Sequence, residues 1–247
     1  MLIDAHCHLN YWKGEALDRV IQQARDAGVE LMHTVGTTVD SSIEAARLAV
    51  HHEGVYAGVG IHPWYAQPFD EAVYDTLSEL ASQDKVISIC EIGLDYTRNP
   101  DTKVLQQEML RQQIRLARAL NMPIMVHGDV PSQADMLKIL KEENAADVGG
   151  VIHGFRGDQS YAWECLAMEF YLSFGKAITR AGGEKILEVA INTPEQLLLI
   201  ETDSAGEEGN GPHTVAIVAE AIAREKDISI DRLGEIAANN FKRLFNT

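Results

Sequence analysis

The chain has 247 residues, 21 Lys plus Arg against 37 Asp plus Glu, a net charge of −16, and 46% hydrophobic residues. These are globular proportions, which exclude a disordered, collagen-like or disulfide-scaffold chain, and the negative balance excludes general coating of nucleic acid because such a surface repels phosphate. The length suits one α/β barrel of about 200–250 residues.

Eight short apolar runs follow one another: Leu2–His6, Val29–Val35, Val55–His62, Val86–Glu91, Pro123–His127, Gly150–His153, Phe170–Phe174 and Leu197–Asp203. Each reads as a strand. Amphipathic stretches lie between them, such as Glu15–Ala27 with Leu17, Val20, Ile21 and Ala24 on one face, and Val104–Leu120 with Leu105, Met109, Ile114, Ala117 and Leu120. Repeated βα units predict a single (β/α)8 TIM barrel of the α/β class over residues 1–247, with no linker to divide it. Asp231–Leu244 predicts a last helix covering the barrel.

Cys7, Cys90 and Cys165 lie far apart without a CxxC pair and read as reduced thiols, and no cationic leader or apolar run of ~18 residues is present. The expectation is a cytoplasmic protein with no membrane contact and no obligate protein partner. By strand alternation the Cys7 thiol points away from its histidine neighbours into the core, and Cys90 beside Glu91 follows the same rule.

In a (β/α)8 barrel the chemistry sits at the C-terminal strand ends. There the sequence places His6, His8, His62, Glu91, His127, His153 and Asp203. In Asp4-Ala-His6-Cys-His8 the two imidazoles are two residues apart, so both face one side of an extended chain. An isolated HxH is as readily two satisfied histidines as a metal grip. Glu91, His127, His153 and Asp203 tip the balance, since four histidines and two carboxylates exceed one tetrahedral site and suit a pair of divalent ions sharing a bridge. Such a ligand set suits zinc, manganese, nickel or magnesium. A shared water of lowered pKa, with a carboxylate to take its proton, predicts hydrolysis.

The segments Asp4-Ala-His6-Cys-His8, Gly60-Ile-His62-Pro63, Glu91-Ile-Gly93-Leu-Asp95-Tyr96, Pro123-Ile-Met-Val-His127, His153-Gly-Phe155-Arg-Gly157 and Glu201-Thr202-Asp203-Ser204 resemble the TatD family of metal-dependent hydrolases and deoxyribonucleases. Asn240 and Arg243-Leu-Phe245 are similar to the family's C-terminal ending, so the likeness spans nearly the whole chain. The resemblance implies one metal on His6, His8 and Asp203, a second on His127 and His153, and Glu91 between them. It implies that Asp203 also orients or deprotonates the attacking water and that His62 touches the substrate; the alternative for His62 is a loop-ordering role beside Pro63 and Trp64. Glu201 is either a support for a ligand or a structural charge, and Asp95 and Tyr96 are read as supports of the Glu91 loop.

Two departures from the family pattern bear on substrate. Asp129 stands two residues after His127, where the family commonly has arginine, and Ser204–Pro212 carries two acids and three glycines where it typically has proline and basic residues. Both remove positive charge from the mouth. Lys176, Arg180, Arg98 and Arg156 are the cations available to an anionic substrate, Arg156 best placed three residues after His153. Three readings follow: a hydrolase of phosphodiesters, including DNA ends; a small-molecule ester, lactone or amide hydrolase on the same metal pair; or a metal-binding barrel without turnover. Glu91 stands where related amidohydrolase barrels often carry a modified lysine, which favours the TatD pattern, and the presence of Asp203 argues against loss of turnover.

Overall fold

The computed structural model describes residues 1–247. Strands β1 (Leu2–Cys7), β2 (Val29–Val35), β3 (Val55–Val59), β4 (Val86–Leu94), β5 (Ile124–Gly128), β6 (Gly150–Ile152), β7 (Tyr171–Phe174) and β8 (Leu198–Ile200) pair in parallel in chain order. Parallel neighbours need a crossover, and helices covering a sheet on its outside bury it on both faces. The crossovers are α1 (Glu15–Asp26), α2 (Val39–His51), α3 (Glu71–Ala81), α4 (Lys103–Leu120), α5 (Gln133–Glu142), α6 (Gln159–Leu166) and α7 (Glu184–Asn192); α8 (Val215–Glu225) and α9 (Ile230–Phe245) follow β8. Every residue of β1, β6, β7 and β8 is buried, the polar Asp4, His6 and Ser173 included. No helix is long and apolar enough to cross a membrane.

The sheet nearly closes at the seam between β1 and the chain after β8. Asp203 N–H donates to His6 O at 2.9 Å and His8 N–H to Ser204 O at 2.9 Å. Buried Asp4 staples the same seam, accepting Thr202 N–H at 2.9 Å and the Thr202 hydroxyl at 2.5 Å. The result is a (β/α)8 TIM barrel.

Helix α9 caps the opposite end. Gly234 lets it approach the N-terminus, since a Cβ there would lie 2.2 Å from Met1 O. Asn240 Nδ2 donates to Glu195 O and Leu198 O at 2.6 and 2.7 Å, fixing the entry to β8. The C-terminal Asn and Phe residues singled out in the sequence thus serve the floor of the barrel, where Phe241 and Phe245 pack against the His33 ring.

Three predicted strands end early: His62, His153 and Asp203 lie one to three residues past β3, β6 and β8. Leaving the ladder lets these side chains lean over the mouth. Glu91 instead lies inside β4, where the register to β5 shifts between Ile89 and Ile92. A bulge of this kind re-aims a side chain, here into the mouth.

Candidate metal centre

Glu91 is at the middle of the site and is almost fully buried. Its Oε2 lies 3.4 Å from His6 Nε2 and 3.6 Å from His8 Nε2. Its Oε1 lies 2.7 Å from His153 Nε2, 3.0 Å from His127 Nδ1 and 3.2 Å from His62 Nε2. One carboxylate therefore turns one oxygen to each of two histidine sets. Asp203 Oδ1 stands 3.6 Å from His6 Nε2 and 3.4 Å from His8 Nε2, on the first set's side. Asp203 has a left-handed backbone, φ +53°, which is uncommon for a residue other than glycine and a form of local strain often found at functional sites. Three groupings have donor atoms close enough to hold an ion: His6, His8 and Asp203; His6, Glu91 and His153; and His62, Glu91 and His127.

The outer nitrogens of these rings decide what the inner ones offer. His8 Nδ1 lies 3.1 Å from Val35 O, His6 Nδ1 2.8 Å from Met125 Sδ, His153 Nδ1 3.3 Å from Glu201 Oε1 and His127 Nε2 3.3 Å from Asp95 Oδ2. Carbonyl, thioether and carboxylate only accept, so each outer nitrogen carries the proton and a neutral ring turns its lone pair inward. His62 is wired the other way. Its Nδ1 accepts Trp64 N–H at 3.0 Å, which puts the proton on Nε2, aimed at Glu91 Oε1. Four rings thus turn a lone pair toward the centre and the fifth turns a proton toward it.

Without ions these groups share protons among themselves. Burial opposes charge on Glu91, yet the facing His62, His153 and His6 hold its carboxyl well below the usual range. Burial opposes charge on His153 as well, and Glu91 and Glu201 overcome it, raising this imidazole well above its ordinary value. His6 goes the other way: burial lowers it, and its Nε2 is buried without any hydrogen-bond partner. An unpartnered buried nitrogen aimed at two carboxylates fits a divalent cation, which would replace the shared protons.

Two clefts meet at this centre. One, of about 410 Å³, is lined by Trp64, Asp95, Thr97, His127, Asp129 and Arg156, among others. The other, of about 180 Å³, includes Arg156, Lys176, Arg180, Glu201, Asp203 and Glu207. Arg156 and Asp203 line both.

The structure brings His6, His8, Glu91, His127, His153 and Asp203 together, with His62 beside Glu91. It places Glu201 against His153, where its Oε1 also accepts Gly154 N–H at 2.7 Å. Asp95 reaches His127 rather than the Glu91 loop, and its Oδ2 also accepts the Trp64 indole N–H at 2.6 Å. Tyr96 turns away, its hydroxyl donating to Asp135 at 2.9 Å. Asp129 does line the mouth, but one oxygen accepts Thr97 N–H and hydroxyl, each at 2.6 Å, and the other accepts Ser132 N–H at 3.1 Å. Cys7 and Cys90 face the core, the Cys90 thiol filling the space where a Cβ on Gly58 would fall. Arg98 stacks over the Trp64 ring at 3.8 Å. The roles of Asp95, Trp64 and Met125 were missed in the sequence. Asp95 carried a signal, since a residue four past Glu91 keeps the same face of an extended strand.

Comparison with known proteins agrees along the whole chain. The family model described as TatD related DNase matches residues 3–246. The metal-dependent hydrolase YabD of Bacillus subtilis (strain 168) is 37% identical over 253 residues, covering 99% of both chains. The 3'-5' ssDNA/RNA exonuclease TatD of Klebsiella pneumoniae (strain 342) is 32% identical over 76% of this chain and 71% of its own length. Among solved structures, YJJV, a TatD homologue from Escherichia coli k12, superposes with a TM-score of 0.89 at 26% identity, covering 100% of this chain and 98% of that one.

Proposed function

The chain belongs to the TatD related DNase family of metal-dependent hydrolases acting on ester bonds, and from that premise we propose a binuclear phosphodiesterase that works on nucleic-acid ends. One observation carries the binuclear reading: Glu91 offers its two oxygens to two separate histidine sets. His6, His8 and Asp203 would hold one ion, His127 and His153 the other, and Glu91 both. Bound divalent ions would supply a water of lowered pKa and polarise the ester oxygen.

The chain's own residues do the rest. Asp203 has a side chain nearly half exposed at 48%; the packing of its neighbours opposes charge on its carboxyl, but His8, His6 and His153 hold it below the usual range, so it is ionised and reachable by water. It takes the proton as the water oxygen bonds to phosphorus and the P–O bond to the leaving group breaks. His62 presents Nε2–H beside Glu91 and donates to a substrate oxygen, and Arg156 meets an anionic group at the junction of the clefts. The exonuclease name of the Klebsiella relative supports a single-stranded end as substrate.

A second reading, a small ester or lactone, is favoured by Asp95 and Asp129 in the wider cleft, which repel phosphate there. Elemental analysis of reconstituted protein, followed by assay on single-stranded DNA, a simple phosphodiester, a phosphomonoester and lactones, tests both. Two ions per chain with phosphodiester cleavage are expected. At most one ion overturns the binuclear centre, and turnover of lactones alone moves the function to the second reading.

A further inference from the structure

The two clefts differ in charge, and the smaller is unusual for so acidic a chain. Arg156 and Arg180 make no side-chain hydrogen bond or ion pair, and Lys176 spends one of its three donors on Asn210 Oδ1. Elsewhere the arginines of α4 are paired with carboxylates: Arg111 and Arg115 bind Glu143 at 3.1 and 2.8 Å, and Arg118 binds Asp147 at 2.7 Å. Three cations with free donors on one cavity of about 180 Å³ repel one another unless an anion joins them. Lys176 registers this crowding: burial and the neighbouring Arg180 lower its pKa. The acids on the same cavity direct their hydrogen bonds elsewhere, and the attraction of Glu207 offsets the lowering of the Lys176 pKa only in part. Glu207 accepts from Asn210 Nδ2 at 2.8 Å, Glu201 accepts from His153 and Gly154, and Asp203 faces His6 and His8. No carboxylate lies within 4.0 Å of any of the three cationic groups.

We propose that Arg156, Lys176 and Arg180 form a subsite for a second phosphate of the substrate, next to the one being hydrolysed. Because Asp203 lines both this cavity and the metal centre, an ester seated at the metals directs its neighbouring anion here. The opposite cleft, with Asp95 and Asp129, turns such a group away. A planar group belongs on the remaining side, where Tyr11, Trp64 and Tyr65 are 51%, 37% and 46% exposed around the opening near His8 and His62. The substrate thus enters with one orientation, its continuing phosphates over β6–β8. The assignment to a second substrate phosphate rests on the phosphodiesterase reading and is read by the kinetic test; anion binding by the three cations does not, and is read by the binding test.

The kinetic test compares three dinucleotides on the metal-loaded enzyme: TpT, pTpT and TpTp. One of the two with a terminal phosphate should show kcat/KM about tenfold above TpT, as one well-formed charge-assisted contact allows. In the Lys176→Gln/Arg180→Gln variant that gain should vanish while TpT stays within about twofold. The binding test titrates inorganic phosphate into wild type and variant by calorimetry. A second phosphate per chain, lost in the variant, supports the anion subsite even if no dinucleotide is cleaved, in which case the phosphodiesterase reading falls and with it only the assignment to a second substrate phosphate. Dinucleotide cleavage without gain, or equal loss on all three substrates, overturns the subsite, and so does a single phosphate in both proteins.

Discussion

The two ends of this barrel bury histidine to opposite ends. At the floor, His33 is fully buried between β1, β4 and α9: its Nδ1 reaches Ala5 O at 3.1 Å, its Nε2 reaches Ser88 Oγ at 3.0 Å, and Phe241 and Phe245 close over the ring. Both nitrogens are satisfied and burial pushes the imidazole down to about 3. At the mouth, His6 is just as buried, yet only its outer nitrogen is satisfied. Burial therefore does not mark a functional histidine. The mark is an inner nitrogen left open while the outer one is fixed, repeated on several rings that face shared carboxylates.

The largest break in that contrast is expected from Asp203→Asn. Asparagine keeps an oxygen for the centre but cannot take a proton, so turnover should fall by ~10²–10⁴-fold while the thermal transition is held. Steady-state kinetics beside a melting curve checks this, and near-wild-type turnover removes Asp203 from proton transfer.

Next in size are the outer partners. Asp95→Asn and Glu201→Gln leave every proposed ligand in place but weaken the acceptors that orient His127 and His153. Metal affinity or activity should drop by ~10–100-fold, and the loss should fall on the second ion proposed for both histidines. Stepwise metal titration reads the order. Equal weakening of both ions would mean that Glu91 couples them too tightly for this partition.

His33→Leu is the control at the other end. It orphans Ala5 O and Ser88 Oγ and should cost about 1–3 kcal/mol of stability, with metal content and turnover unchanged. Its pH dependence follows from the depressed pKa. Folded His33 stays neutral while the unfolded chain binds a proton near pH 6.5, so this group's stabilisation is whole above 6.5 and is lost as pH falls toward about 3. The leucine variant should show a shallower loss of stability across that window in denaturant titrations. Lost metal in this variant would break the separation of the two ends.

Much of this was legible in the sequence because strand geometry is simple. Period-2 alternation and the rule that barrel chemistry sits at strand ends together pick out His6, His8, Glu91, His127, His153 and Asp203. The same alternation places Glu201 two before Asp203 and Asp95 four after Glu91, though not which histidine each would reach. The rest depends on contacts between distant segments. The shift in register around Glu91, the Val35 carbonyl and Met125 thioether that set the His8 and His6 tautomers, and the meeting of Arg156 with Lys176 and Arg180 arise only when separate βα units close into one ring.

The smallest expected effect concerns Asp129. From the sequence its charge weighs against DNA, and in the structure it lines the wider cleft, so the repulsion stands within the ~8 Å Debye length at physiological salt. Yet both oxygens are engaged by Thr97 and Ser132, which hold the charge in place and lower its pKa against the cost of burial. Arginine would remove those acceptors as well as the charge, mixing loop disruption with electrostatics. Asp129→Asn is the milder change: the charge is gone and the amide oxygen still accepts from Thr97, at the loss of the Ser132 N–H bond alone. Activity on single-stranded DNA should rise about two- to threefold at low salt and converge with wild type at high salt, with a neutral ester unaffected. Asp129→Arg should exceed that gain only if the Thr97 loop survives, which its melting curve reports. A flat response in both variants, with metals bound, would show that anionic substrate never crosses the Asp129 side, leaving the Lys176 and Arg180 side as the one route for its charge.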